Sequence, residues 1–144
     1  MQRTLQRPAA VGGRGYWSGR ENRVVLHPAP AGTGVVFVRG DADPPVLIPA
    51  GLAFQAEATN RTNLSAGGLS VQMVEHVLSA LAGLGVDCCR VVVSSEELPG
   101  MDGSSLAFVE AIDAAGVVDL DVPSDPLVVE ETIRVGDRSE EHTS

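Results

Sequence analysis

The spacing of apolar positions changes character near residue 70. Before it, apolar residues come in short runs broken by Gly and Pro; after it, two stretches repeat at three- and four-residue steps. The first part predicts strands. Residues 3–10 form the first, ended by Gly12-Gly13 and Gly15, and residues 23–27 alternate until Pro28-Ala29-Pro30. Residues 34–39 form a clear strand by β-branched content, 41–45 a turn, and Val46-Leu47-Ile48 a short strand stopped by Pro49. Ala66-Gly67-Gly68 sits between apolar flanks and predicts a hairpin. The first half is thus mostly antiparallel sheet.

Residues 71–84 predict a helix, with Ser70 as N-cap and Gly85 where a helix end favours a left-handed residue. Val74, Val77, Leu78 and Leu81 make the stripe that would cover the sheet. Residues 88–94 follow as a strand whose Val91-Val92-Val93 suits a central position buried on both sides. A turn over 96–103 leads to Ser104 or Ser105 as N-cap of a second helix, ending near Ala115 before Gly116. The implied fold class is α+β, a two-layer sandwich of a mostly antiparallel sheet packed against two helices.

The predicted domain spans 1–122. Residues 123–137 read as a linker and the first strand of a truncated second domain, the strand over 127–135 having no partner in this chain. Residues 138–144, His142 among them, match no structural pattern and read as a non-native tail.

At 44% hydrophobic residues the chain should fold, and at 3% aromatic its core must be aliphatic. A net charge of −9 argues against nucleic acid or an anionic membrane as the main partner. The early arginines (Arg3, Arg7, Arg14, Arg20, Arg23) read as a solvated edge, with a local anionic group as the alternative. No apolar run approaches the roughly 20 residues that span a bilayer. Cys88 and Cys89 are adjacent in a strand and point to opposite faces, which fits reduced thiols in a cytoplasmic protein.

Val74-Glu75-His76 carries the candidate chemistry. Neither a carboxylate nor an imidazole tolerates burial without a partner, and at the edge of a helical stripe they supply a proton acceptor and a metal ligand bordering a cleft. Alone, such a pair is more often a solvated edge. Residues 101–104 read as a structural turn in which Asp102 bonds neighbouring amides, and Arg61 as an exposed sheet edge or an anion contact.

Several segments are similar to one family in order and spacing. They are Gln2-Arg3-Thr4-Leu5, Pro28-Ala29-Pro30 with Gly34-Val35-Val36-Phe37, Val74-Glu75-His76 with Ser79-Ala80-Leu81-Ala82-Gly83-Leu84-Gly85-Val86-Asp87, and Met101-Asp102-Gly103-Ser104 with Phe108-Val109. Over residues 2 to 135 they resemble the UDP-3-O-acyl-N-acetylglucosamine deacetylases, zinc hydrolases that commit Gram-negative bacteria to lipid A synthesis. The resemblance implies two similar α+β domains with the active site between them, His76 as first Zn2+ ligand and Glu75 as general base. It implies a UDP-acyl-sugar substrate. It places the other ligands (a His and an Asp), a Lys, the general acid and the acyl tunnel in the missing second domain.

The chain departs from the family where Gly15-Tyr16-Trp17-Ser18-Gly19 replaces Gly-Leu-His-Ser/Thr-Gly. Trp17 removes a titratable group and adds bulk. His27 and His142 match no ligand position. The expectation is therefore an N-terminal half that is inactive alone; the alternatives are a catalytically inactive relative serving as a binding or scaffolding module, and a shared fold binding some other anion.

Overall fold

The computed structural model describes residues 1–58, 60–124 and 128–134. Ten strands and two helices run in the order β1 (Arg3–Leu5), β2 (Ala9–Arg14), β3 (Glu21–Pro28), β4 (Val35–Arg39), β5 (Val46–Pro49), β6 (Gln55–Ala56), β7 (Asn63–Ala66), β8 (Leu69–Gln72), α1 (Glu75–Gly83), β9 (Cys89–Val93), α2 (Leu106–Ala115) and β10 (Val117–Asp119). The main sheet has the order β2-β3-β9-β4-β5. All its pairings are antiparallel except β4 with β9. The fold is α+β, mostly antiparallel, with two helices, as the apolar periods predict.

Alternation decides which face is covered. Val24 and Leu26 of β3, Phe37 of β4, Ile48 of β5, and Val91 and Val93 of β9 are buried on the side that meets the helices. Val77 and Leu81 of α1, with Phe108 and Ile112 of α2, close that core. Burying each such side chain contributes about 1.5–3 kcal/mol before entropy is charged against it. β9 is central, as its valines suggest, but only one of its faces is in the core: Arg90 is exposed and Val92 half-buried. The small sheet β6-β7-β8 lies beside β4 and β5, and sends Leu64 and Val71 into the same core.

The predicted first strand is two strands. Pro8 interrupts it, and the chain then continues through Gly12 and Gly13 as β2. Gly13 serves close approach rather than termination, because a Cβ there would lie 2.8 Å from Met101 Sδ and 3.0 Å from Pro99 Cβ. β1 instead pairs with β10 (Arg3 with Asp119), so residues 117–119 complete the domain rather than leave it. Buried Thr4 ties that ribbon to the main sheet, donating to the Cys88 carbonyl at 2.7 Å and accepting from the Ala29 amide at 2.9 Å.

Residues 128–134 are exposed and form no strand. The ends of the strand expected over 127–135, and the tail at 138–144, lie outside the described residues.

Candidate functional site

The first helix begins later than its periodicity predicts. Residues 69–72 pair with β7 as a strand, so Ser70 is no N-cap, and α1 starts at Glu75 after Val74 without any side-chain cap. Met73 makes the turn between strand and helix in the left-handed region, at φ 59°. The orphan amides there are satisfied from β7 and the residue before it. Asn63 Oδ1 accepts from the Met73 amide at 3.2 Å, and the Thr62 carbonyl accepts from the Val74 amide at 3.1 Å.

This junction fixes Glu75. The Thr62 amide donates to Glu75 Oε1 at 2.9 Å, and no bond to Oε2 is seen among the described residues. The carboxylate also sits in the first helical turn, where the helix dipole favours negative charge. Glu75 and His76 are both half-buried, at the margin of the stripe formed by Val74, Val77 and Leu81. The imidazole of His76 makes no hydrogen bond among the described residues.

The 99–104 turn carries the other candidate carboxylate, Asp102. Asp102 Oδ1 accepts from the Ser104 hydroxyl at 2.6 Å and the Ser104 amide at 3.0 Å, the structural turn expected. The Ser104 hydroxyl, then the Ser104 amide, hold the exposed Asp102 carboxyl below its ordinary range, and His76 adds a smaller electrostatic pull in the same direction. Asp102 and His76 are therefore in electrostatic reach of each other. Ser104 also accepts from the Leu106 amide at 3.2 Å, while Ser105 occupies the N-cap without a capping bond.

Two further residues border the junction. Trp17 is 58% exposed on the turn between β2 and β3, and stands edge-on to Tyr16 with ring centroids 5.2 Å apart. The Arg61 guanidinium lies over the Trp17 ring, 5.4 Å from its centroid. Behind this turn lies a residue that sequence reasoning missed. Glu97 is 2% exposed, and its carboxylate accepts from the Trp17 amide at 2.7 Å and the Ser18 amide at 2.6 Å. Two successive amides make a small anion nest. Its signal was an acidic residue directly before a buried Leu-Pro pair, which is too weak to act on.

The early arginines do not converge on one site. Arg3 pairs with Asp119 at 3.4 Å, Arg14 with Glu21 at 3.7 Å, and Arg7 donates to the Ala114 carbonyl at 2.8 Å. Cys88 and Cys89 are buried free thiols. No cluster of three His, Cys, Asp or Glu able to hold a metal ion exists among the described residues. No helix among them is long and apolar enough to cross a membrane.

An amide-anchored carboxylate beside an unengaged imidazole, at the edge of an α+β layer, can accept a proton and offer one ligand nitrogen. Hydrolases that work by general-base catalysis use such a carboxylate. The profile of the family UDP-3-O-acyl N-acetylglycosamine deacetylase matches residues 2–143. Proteins named UDP-3-O-acyl-N-acetylglucosamine deacetylase are similar over nearly the whole chain. That of Xanthomonas oryzae pv. oryzae (strain PXO99A) is 45% identical over 137 residues, covering 95% of this chain and 45% of the relative. That of Hahella chejuensis (strain KCTC 2396) is 42% identical over 142 residues, covering 99% and 47%, and that of Cellvibrio japonicus (strain Ueda107) 45% identical over 139 residues, covering 95% and 46%. The chain belongs to the UDP-3-O-acyl-N-acetylglucosamine deacetylase family. It spans rather less than half the length of these relatives.

Proposed function

We propose that this chain is the N-terminal half of a zinc-dependent deacetylase that removes the N-acetyl group of UDP-3-O-acyl-N-acetylglucosamine, the committed step of lipid A synthesis. Glu75 is its general base and His76 one zinc ligand. The observation that carries the reading is the bond from the Thr62 amide to Glu75 Oε1 at 2.9 Å beside an imidazole with no partner of its own among the described residues. Family membership supports the substrate class, since the relatives carry that substrate in their names.

The residues present fit zinc as one donor of a set. A neutral imidazole is a common zinc ligand, a three-ligand catalytic site needs two more, and no group of three is found among the described residues. We assign the remaining ligands to a second domain on the strength of the family resemblance, with 1–122 as the first and 123–137 leading towards it. His76 would supply one donor to a zinc ion, whose chemistry there would be to polarise the amide carbonyl and acidify water. Consecutive helical side chains diverge by about 100°, so Glu75 could act on a water beside the metal without displacing His76 from it.

Glu75 does the proton work. Its Oε1 is held by Thr62, which fixes the plane of the carboxylate and leaves Oε2 to take the proton from the attacking water. The water oxygen bonds to the acetyl carbon, the carbon–nitrogen bond breaks, and the amine leaves with a proton. Such base catalysis contributes roughly 10²–10⁴-fold. We assign the reaction to the cytoplasm, and the net charge of −9 supports a role without a nucleic-acid partner.

The test is deacetylation of the UDP-acyl-sugar by the protein extended to the length of its relatives. Glu75→Ala should lower kcat by about 10²–10⁴-fold, and the isolated chain should be inactive. Turnover by the isolated chain, or full activity in the Glu75 variant, refutes the reading. A binding or scaffolding role is the second reading, favoured by Trp17 standing in place of the family's histidine; an inactive extended protein with normal folding would select it.

A further inference from the structure

Glu97 poses a question that the proposed chemistry leaves unanswered. A carboxylate 2% exposed is costly to bury, and here it holds the backbone of a surface turn rather than a cation. Its oxygens take the Trp17 and Ser18 amides at 2.7 and 2.6 Å. The surroundings are shaped to keep it there. Asn22, itself buried, donates to the Glu97 carbonyl at 3.0 Å, and Gly15 makes room, since a Cβ at that position would come 2.5 Å from Glu97 Oε1. What this turn presents is the indole of Trp17, and what the indole touches is Arg61.

Arg61 directly precedes Thr62. Thr62 is the residue that donates to Glu75 Oε1 at 2.9 Å and accepts from the Val74 amide at 3.1 Å. Segment 60–62 would otherwise be anchored on the α1 side alone, entered through Asn60 in the left-handed region at φ 60°. The stack on Trp17 supplies an anchor on the opposite side. We propose that Trp17 and Arg61 are positioning residues, a clamp seated on Glu97 that holds the Thr62 amide against Glu75 and so fixes the carboxylate's orientation. The clamp's purpose rests on reading Glu75 as the base; its existence does not.

A cation–π contact at a partly exposed site accounts for a two- to thirtyfold shift in a local opening equilibrium, from its strength of about 0.5–2 kcal/mol. Hydrogen exchange at the Thr62 amide reads that equilibrium directly in the 144-residue chain. Glu75→Ala sets the rate expected when the bond is lost. Trp17→Ala and Arg61→Ala should each speed Thr62 exchange by about tenfold, while Trp17→Phe, which keeps a π face, restores most of the protection. Trp17 is the only tryptophan, so its emission reports loss of the guanidinium stack in Arg61→Ala independently. The two alanine changes are made in two separate turns and not in the core, and circular dichroism matching that of wild type is required of each variant.

Exchange within twofold of wild type in both Trp17→Ala and Arg61→Ala refutes the clamp. In the protein extended to the relatives' length, Trp17→Ala should lower kcat with KM unchanged, whereas a raised KM with kcat intact means the indole contacts substrate and the clamp is wrong. If the extended wild type does not deacetylate at all, the functional reading fails while the exchange data still decide the clamp.

Discussion

Replacing Glu97 with Ala removes two charge-assisted hydrogen bonds, from the Trp17 and Ser18 amides at 2.7 and 2.6 Å. Bonds to a charged acceptor contribute about 1.5–3 kcal/mol each. Part of that returns, because both amides belong to a partly buried turn and water can reach them once the carboxylate is gone. A net loss of roughly 3–4 kcal/mol follows, a large share of the 5–15 kcal/mol that a domain usually has. Glu97→Gln keeps the volume but turns an amide group's donor towards one of the N–H groups, and should cost about 2 kcal/mol. Exposed Glu57, which makes no hydrogen bond or ion pair among the described residues, is the control: its Ala variant should stay within about 1 kcal/mol. Urea unfolding followed by far-ultraviolet circular dichroism measures all three on one scale. A second variant probes the geometry. Gly15→Ala forces a Cβ to 2.5 Å from Glu97 Oε1, so its cost should shrink in the Glu97→Ala background. If Glu97→Ala destabilises by less than about 1 kcal/mol, the buried nest is not what holds the turn.

Burial pushes the Cys89 thiol from its ordinary 9.0 up to about 12, and Cys88 is buried beside it. A raised acid favours the fold fully below its unfolded value, so stability should hold to about pH 9 and fall as pH climbs towards 12; neither thiol should react with a disulfide reagent in the native protein at pH 8, and rapid native labelling would contradict this. Asp41 shows the opposite sign. Its hydrogen bonds with the Arg39 guanidinium, at 2.8 and 2.9 Å, hold its carboxyl below the ordinary range, so the pair's contribution is present above about pH 4 and lost as pH falls through the lowered value. Wild type should therefore lose more stability than Asp41→Asn between pH 5 and 2. At pH 7 that variant should be weaker by about 1–2 kcal/mol, because buried Arg39 keeps the Ser70 carbonyl at 2.6 Å and one neutral acceptor at position 41 but loses its charged partner; equal acid profiles would refute the sign.

The fold was legible where local chemistry and tertiary packing agree. Gly67 and Gly68 both take positive φ in the hairpin, and Gly116 ends α2 at φ 83°. Phe108, Ile112 and Ala115 are buried at helical spacing on α2. Legibility failed where one apolar spacing serves two structures. Val71 and Val74 are both fully buried, so a helix through 71–84 and a strand followed by a helix bury the same side chains. Pairing with β7 and the left-handed turn at Met73 decide between them, and neither is local in sequence. Gly13 misled for the same reason, since its cause is a loop arriving from residues 99–101, while Gly12 has open space where a Cβ would stand.

Glu75 and His76 stood out as candidates because their residue types are costly at the margin of an apolar stripe. The groups around them did not. Thr62 acts through its backbone, which carries no residue-type signal, and Glu97 finds its partners 79 and 80 residues away in the chain. Trp17 was visible as a departure from the family pattern, but its contact with Arg61 required the two turns to be brought together.

The most direct measurement is the zinc content of the protein extended to its relatives' length, compared among wild type, Glu75→Ala and His76→Ala. Wild type and the Glu75 variant should each hold one zinc ion, and the His76 variant should lose it. Full zinc in the His76 variant, or its loss in the Glu75 variant alone, would contradict a metal centre built on His76 with Glu75 as the base beside it.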